Sequence, residues 1–505
     1  MLLLTDSGVS PHIPSQNIVS TVCVKIMAMN EILDSKFEQI LDNFTAQNNW
    51  LQSLITDPSG SRYFVDKSSA ERQKEYQEQI KRTVELLRYL GNPQDEFMSV
   101  HVAGTSGKGS VSTMVGALLE KVGPSVGVHT SPYLQVPIEK LTINGKLIPP
   151  SKFSRLVSGF RPKLQEFTAM HPESPPHYGE VWVALTHLYF QREKVAWGVI
   201  ETAMGGRFDP TNVINPEISI ITRVGLDHVP QLGTTLAEIA GHKAGIIKSG
   251  RPVVTCKQQQ EVLAVIKEEA RRKRAPLFIQ GRDFHFKVKS ISETGSVVDI
   301  TTPFNHYADI KIDLPGVFQP ENAALAVTAV DFLSRKHQKS LSSELITEVL
   351  GSVKFQGRME KVQERPTVIL DGAHNPQKME SLIQSLEAIY GNKTFTLVIG
   401  MLSTKDALFS LKYLIPKADK VIATSPKVLG KPSTTPDRLK KLIHSLDQTK
   451  KVDTAETVLE AVRKALSTTG PLGMVIVTGS IYMLGEAREH WFPTKDILWE
   501  AEYGN

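Results

Sequence analysis

Two rhythms of apolar positions divide the chain. Residues 30 to 95 carry helical spacing and end in an amphipathic stretch over 71–90, where Gly91-Asn92-Pro93 supplies the stop. From residue 97 the pattern changes to short apolar runs separated by helical segments. Residues 97–103 predict a strand, a glycine-rich turn follows, and 111–122 predict a helix. The alternation continues with strands over 195–200, 218–224 and 252–256 and helices over 235–248 and 261–273. Such runs predict a parallel sheet covered by helices. Residues 283–314 alternate without a helix and predict an antiparallel ribbon beside it.

After Gln356-Gly357-Arg358 the rhythm restarts. Strands are predicted over 367–370, 395–399, 420–424 and 474–477, with helices near 376–389, 405–415, 435–446 and 455–467. The expected division is an N-terminal extension over 1–60, helical or disordered, then one α/β unit over 61–352 and a smaller one over 353–505. The chain has 505 residues, 41% hydrophobic and 22% charged, which excludes a disordered, collagenous or disulfide-stapled class. Lys and Arg number 58 against 53 acidic residues, and an excess of +5 over this length gives no reason to expect nucleic acid. Cys23 and Cys256 are the two cysteines, so a reducing, cytoplasmic setting is expected. No apolar run is long enough to span a membrane. The start lacks a basic segment and Lys25 interrupts residues 18–29, so no signal peptide is expected; Met27 and Met29 are alternative starts. Arg271-Arg-Lys-Arg274 before Pro276 reads as a helix C-terminus complementing the helix dipole, with a nuclear signal as the second reading.

Candidate chemistry begins at Gly104-Thr-Ser-Gly-Lys-Gly-Ser110, between a predicted strand and helix. Glycines let backbone N–H groups converge on phosphate oxygens, the helix N-terminus adds its positive end, and Lys108 can neutralise phosphate charge. The spacing departs from the strict G-x-x-x-x-G-K-[ST] pattern because Gly109 separates Lys108 from Ser110. An ordinary glycine turn is the alternative. Two further strands end in Glu201 and in Gly225-Leu-Asp227-His228, and ligands of open α/β sheets lie beyond carboxyl strand ends. A carboxylate with nucleotide phosphates suits Mg²⁺, whereas a lone His228 is more often a hydrogen-bonded structural histidine. Gly205-Gly206-Arg207-Phe208-Asp209 is expected to loop over the same crevice, or else to be a tight turn capped by Asp209. The second unit offers Asp371-Gly-Ala-His374-Asn375 at a strand end.

Together these motifs resemble the folylpolyglutamate synthase/dihydrofolate synthase family of Mur-type ligases. The resemblance runs from about Leu87 to Arg488. It is carried in order by His101-Val-Ala-Gly-Thr-Ser-Gly-Lys-Gly-Ser, Thr130-Ser-Pro-Tyr-Leu, Glu201-Thr-Ala-Met-Gly-Gly-Arg-Phe-Asp-Pro-Thr-Asn-Val, Gly225-Leu-Asp-His, Lys243-Ala-Gly-Ile-Ile-Lys, Gln319-Pro-Glu-Asn-Ala-Ala-Leu-Ala, Gly357-Arg-Met-Glu, Asp371-Gly-Ala-His-Asn-Pro and Thr478-Gly-Ser-Ile-Tyr. It implies a P-loop NTPase-like parallel-sheet domain of the Mur central type and a smaller Rossmann-like C-terminal domain. The implied reaction is ATP-dependent ligation of L-glutamate to a folate carboxylate.

By motif position, Gly104, Thr105, Gly107, Lys108, Gly109 and Ser110 would hold the ATP phosphates, and Asn322, Arg358 and Asp371 would also contact ATP. Ser131, Glu201 and His228 would ligate Mg²⁺. Lys243 aligns with a lysine that is carbamylated in the family and helps hold a second metal. Lys108, His228, Lys243 and His374 form the implied catalytic set. His177, Tyr178, Glu180, Arg207, Phe208, Asp209 and Ser480 form the implied substrate-binding set, with His374 and Ser480 facing the incoming glutamate. The implied cofactors are ATP and Mg²⁺, with K⁺ as a further candidate. The implied partners are small molecules (ATP, folate, L-glutamate), with neither nucleic acid nor membrane, for a monomer.

This sequence departs from the family where an aromatic-rich Thr-Phe-Phe-Glu type motif that helps hold the pterin reads His177-Tyr-Gly-Glu180. The family's Ser-Pro-His-Leu carries Tyr133, its Glu-Arg pair is Glu139-Lys140, and His242 precedes Lys243 where Glu is usual. The usual His-Gln reads Phe318-Gln319. These changes leave the ATP and metal set intact and fall on the substrate side. Polyglutamylation is the first reading. Dihydrofolate synthase, a bifunctional enzyme, a Mur-type ligase for another acid and a non-catalytic nucleotide-binding module are the alternatives.

Overall fold

The structure, a computed structural model, describes residues 16–65 and 67–504. The expectations for the chain's first fifteen residues lie outside that range. Strands β1 (Met98–Ala103), β2 (Val126–His129), β3 (Leu141–Ile143), β4 (Lys146–Leu147), β5 (Trp197–Glu201), β6 (Ile218–Ile221), β7 (Val253–Thr255) and β8 (Leu277–Ile279) form one sheet. Its order is β4-β3-β2-β5-β1-β6-β7-β8. The pairs from β2 through β8 are parallel, while β3 and β4 add an antiparallel edge. Central strands such as β5 are buried at every position, which is why they read as apolar runs without alternation. The ribbon predicted over 283–314 is a three-stranded antiparallel sheet of β9 (His285–Ser292), β10 (Gly295–Thr301) and β11 (His306–Ile312).

Helices α1 (Gln16–Ser53), α2 (Ser69–Tyr89), α3 (Lys108–Leu119), α4 (Pro150–Met170) and α5 (Tyr178–Arg192) precede or interleave the first strands. They are followed by α6 (Val229–Leu232), α7 (Leu236–Ala244), α8 (Gln260–Arg272), α9 (Gln319–Lys336) and α10 (Ser343–Leu350). The hydrophobic rhythm anticipates α2, α3, α7 and α8 but leaves β2, α4, α5 and α9 unassigned. Helix α5 is buried from Glu180 to Phe190, so it has no polar face to generate a helical period. In α8, Arg271 and Arg272 pair with Glu268 and Glu269 in the last turn, in keeping with the helix-terminus reading of that basic run.

The second unit contains β12 (Glu360–Glu364), β13 (Thr367–Leu370), β14 (Phe395–Ile399), β15 (Ala418–Ala423), β16 (Lys451–Thr454) and β17 (Met474–Thr478), ordered β12-β13-β17-β14-β15-β16. All pairs are parallel except β12 with β13. Its helices are α11 (Pro376–Tyr390), α12 (Ala407–Leu414), α13 (Pro436–Leu446), α14 (Val458–Thr468), α15 (Ile481–Arg488) and α16 (Thr494–Tyr503).

Helix α1 and the chain's last helix share one core. Phe37, Phe44 and Leu51 of α1 are buried with Phe153 of α4 and Leu498 of α16. The Phe37 ring meets Trp499 edge-on at 4.7 Å, and Phe44 lies 5.4 Å from Phe153. Beyond α1, the Gly430 N–H donates to the Pro58 carbonyl at 2.7 Å, so the segment after α1 braces a loop of the second unit. No helix among the described residues is long and apolar enough to cross a membrane.

Candidate functional site

Seven strand ends open onto one cleft between the two units. From the first come β2, β5, β1 and β6, neighbours in that order, and from the second β13, β17 and β14. This is the crevice that open parallel sheets create beyond their carboxyl ends. Two of the loop's glycines are required by geometry. Gly104 has φ +150° and a Cβ there would lie 1.9 Å from Thr222 Oγ1; Gly107 has φ +90° and a Cβ would lie 2.4 Å from Asn322 Oδ1. The loop is tied to the neighbouring strand end, because the Thr105 N–H donates to the Arg223 carbonyl at 2.9 Å and the Thr105 hydroxyl bridges the backbone of Gly225. Lys108 then opens helix α3 with its amine directed across the cleft floor.

Glu201 is 4% exposed. One carboxylate oxygen lies 3.7 Å from Lys108 Nζ, and the other accepts the Ser131 N–H at 3.1 Å. Burial pushes its carboxyl up against the opposing pull of Lys108. Lys243, on α7, is also buried, and burial together with the Lys108 amine lowers it to about 7. His228 sits at φ +52° and is held neutral by burial and by the Lys405 amine. Among the described residues no three His, Cys, Asp or Glu side chains gather as a ready metal cage. One buried carboxylate beside a glycine-rich loop suits instead a cation that takes its remaining ligands from phosphate and water.

The opposite wall is cationic. Asp227, from the first unit, takes an ion pair from Lys405, a hydrogen bond from Asn375 Nδ2 at 3.3 Å, and lies 3.6 Å from His374 Nε2 and 3.9 Å from Lys378 Nζ. Burial opposes its charge, yet the His374 contact and Lys405 hold the carboxyl well below the usual range. Burial and the Lys378 amine lower His374 to about 3. The neutral ring donates from Nδ1 to the Gly372 carbonyl at 2.8 Å and accepts from Lys378 at 3.0 Å. Asp371 accepts the N–H groups of Met359 and Ala373, which fastens the strand end to the segment joining the units.

Profiles of two domains match the chain: the Mur ligase middle domain over residues 102–330 and the Mur ligase, glutamate ligase domain over 357–481. The dihydrofolate synthase/folylpolyglutamate synthase of Bacillus subtilis is 33% identical over 413 residues, 81% of this chain and 94% of that protein. The chain belongs to the folylpolyglutamate synthase/dihydrofolate synthase family of Mur ligases. The folylpolyglutamate synthase of Lacticaseibacillus casei is 30% identical over 81% of this chain and 93% of its own. The solved Mycobacterium tuberculosis folylpolyglutamate synthase complexed with ADP superposes with a TM-score of 0.79 at 29% identity, covering 90% of this chain and 99% of that one. The two α/β units are thus those of a Mur ligase.

Within this family member, the sequence-derived residues separate into two groups. Gly104, Thr105, Gly107, Lys108, Ser110, Ser131, Glu201, His228, Lys243, Asn322, Arg358, Asp371, His374 and Ser480 all line the cleft. Gly109 lies in the first turn of α3 and faces Phe355, whose ring a Cβ there would meet at 2.5 Å.

The second group, His177, Tyr178, Glu180, Arg207, Phe208 and Asp209, lies outside the lining of this cleft. Glu180 is buried in an ion pair with Arg82 at 2.6 Å and caps the His177 N–H. Arg207 is turned away to Glu269 at 3.1 Å, Phe208 stacks with Tyr76, and Asp209 accepts the N–H groups of Met204 and Thr211. The tight-turn reading of that segment is the one the geometry supports.

Sequence reasoning passed over Lys378, Lys405 and Lys431, which line the cleft. Lys378 lies four residues after His374, one helical turn away on the same face, a spacing that could have flagged it. Lys405 and Lys431 stand in loops with no local signal.

Proposed function

We propose that this chain is an ATP-dependent ligase that adds L-glutamate to the glutamyl carboxylate of a (tetrahydro)folate, a folylpolyglutamate synthase. The observation that carries the reading is the pairing of the two walls. A phosphate loop with Lys108 and Glu201 faces the buried amines of Lys378 and Lys405, beside the neutral His374 ring, across one cleft. The first wall suits ATP phosphates, in keeping with a relative solved in complex with ADP, and the second suits the two carboxylates of an amino acid.

A carboxylate does not condense unaided with an amine, because its leaving group is poor. The acceptor carboxylate oxygen attacks the γ-phosphorus of ATP and the bond to the bridging oxygen breaks, giving an acyl phosphate and ADP. The neutral glutamate amine then attacks the acyl carbon, phosphate departs, and the amine loses a proton. Lys108 and the loop N–H groups offset the charge that develops on the transferred phosphoryl group, which is positioning and electrostatics. Closure of the two units around the acyl phosphate excludes the water that would hydrolyse it.

Glu201, Ser131 and His228 would hold Mg²⁺, which when bound neutralises phosphate charge. Lys243 is buried beside this group with no carboxylate paired to it among the described residues, and a carbamate there would add an oxygen ligand. K⁺ would act as a further counter-ion. The reading places a monomer in the cytoplasm among small-molecule substrates.

The deciding experiment offers purified protein ATP, L-glutamate and either a folate or a dihydropteroate acceptor, following ADP release and the amide product. Faster ligation with the folate is expected. Preference for dihydropteroate would make it a dihydrofolate synthase, and ATP turnover without an amide would end the ligase reading.

A further inference from the structure

Beside the cleft lies a buried amine that the ligation steps do not use. Lys140 is 7% exposed, and its Nζ stands over three rings: Trp182 at 4.4 Å, Tyr178 at 5.1 Å and Tyr133 at 5.6 Å. Among the described residues it has neither an ion pair nor a hydrogen bond from that amine. The adjacent carboxylate does not serve it, because Glu139 accepts the N–H groups of Leu134, Gln135 and Val136. A second donor in the same nest is also unmatched. The Trp182 side chain is 2% exposed, and its Nε1–H finds no acceptor in hydrogen-bonding geometry, although the Tyr178 hydroxyl feels it. A buried amine with no counter-charge, beside an indole N–H that has only an off-geometry contact to the Tyr178 hydroxyl, is costly in a native fold and points to an oxygen-bearing ligand.

The nest adjoins the reacting centre. Lys140 directly precedes β3, whose Leu141 pairs with His129 at the end of β2, and the Thr130 hydroxyl donates to the Glu139 carbonyl at 3.4 Å. Ser131, which contacts Glu201, is the next residue. Lys431 lines the cleft 4.9 Å from the Tyr482 ring, and its charge is felt by both His228 and Lys140. Burial and Lys431 together lower the Lys140 amine to about 7, as expected for a cation whose counter-charge is missing.

We propose that Lys140, with the Trp182 N–H beside it, is the counter-charge for a spare carboxylate on the acceptor. The inference rests on the ligase reading and adds a specificity to it. A folate acceptor keeps an α-carboxylate when its γ-carboxylate is activated. A pteroate acceptor has one carboxylate, which is consumed. The caged amine therefore favours acceptors that already carry a glutamyl residue, with the Tyr133 and Tyr178 rings as flanking walls for the adjoining arene.

The test compares kcat/KM for a folylmonoglutamate and for dihydropteroate, at saturating ATP and glutamate, in wild type, Lys140→Met, Lys140→Arg and Trp182→Phe. Where dihydropteroate is not turned over, its Ki as a competitor is used. Lys140→Met is expected to lose about tenfold or more on the folylmonoglutamate through KM, well beyond its loss on dihydropteroate, with Lys140→Arg restoring most of it. Equal losses on both acceptors, or none, would overturn the proposal, as would a wild type that prefers dihydropteroate. Trp182→Phe keeps the ring and removes only the N–H, so it reports even if Lys140→Met does not fold. A shift of about threefold in the same ratio supports the proposal, and an unmoved ratio overturns it. A wild type that forms no amide with either acceptor instead defeats the underlying ligase reading.

Discussion

Glu201 and Lys108 lie 3.7 Å apart at the floor of the cleft, each shielded from water. Burial favours the uncharged carboxyl of Glu201, so the carboxylate depends on nearby positive charge. Replacing Lys108 with Ala removes that charge and, on the proposed reading, the phosphate contact with it. Ligation is expected to fall by about a thousandfold or more in Lys108→Ala and in Glu201→Ala. Circular dichroism and thermal unfolding should show the fold retained, and a near-normal rate in either variant would sink the assignment.

His187, remote from the cleft, makes a pH prediction. Its ring is fully buried against Phe97 at 5.8 Å, both nitrogens lack hydrogen-bond partners among the described residues, and burial lowers it to about 3. The folded pKa lies below the unfolded value, so between about 6.5 and 3 the unfolded state binds the extra proton. Stability from this residue is full at neutral pH and falls as pH drops through that window, by about 1.4 kcal/mol per unit. The unfolding free energy of His187→Leu should decline less steeply than wild type between pH 6.5 and 4.5 in urea titrations. At this scale the motif glycines and Lys108 are legible in the sequence because local spacing sets local backbone. The burial of His187 is not, because it depends on Phe97, a residue distant in sequence.

Among elements, α5 shows how a motif position can be structural. Its first turn carries Glu180, which caps the His177 N–H and pairs with Arg82 of α2 at 2.6 Å with both side chains largely buried. Removing one partner strands a buried charge. Glu180→Ala is expected to cost about 3–5 kcal/mol in stability, read by urea unfolding. The KM for ATP should stay within about threefold, because no atom of this pair faces the phosphate loop. A normal stability with a raised acceptor KM would instead return Glu180 to the substrate site. The alternating α/β rhythm was readable at this scale, and so was the ribbon. Helices α5 and α9 were not, since a helix buried on nearly all sides loses its period, whereas α4 keeps one in Phe153, Leu156, Val157, Phe160, Leu164 and Phe167 that the reading passed over.

For the molecule as a whole, the cluster around Asp227 joins the two units. A first-unit carboxylate meets Lys405, Lys378, His374 and Asn375 of the second unit. On the proposed reading, an incoming dicarboxylic amino acid competes with Asp227 for Lys405 and Lys378. Lys405→Ala is expected to raise the KM for glutamate by about tenfold or more while the KM for ATP moves by less than about threefold. The check is a pair of substrate-saturation curves, and parallel losses would refute a glutamate-side role. The brace from Pro58 to Gly430 and the shared core of α1, α4 and α16 hold the units in this arrangement.

The sequence by itself determined the two α/β units, the phosphate loop and the strand-end residues Glu201, His228, Asp371 and His374, because short-range spacing dictates where a strand stops and which residues come next. Only the tertiary structure decided which distant side chains share the cleft. It turned Arg207 toward Glu269 and Glu180 toward Arg82, and it brought Lys405 to Asp227. It also caged Lys140 among three rings, two of them from α5. Those outcomes depend on how layers and domains pack, and residues tens to hundreds of positions apart leave no periodic trace of their contact in one chain.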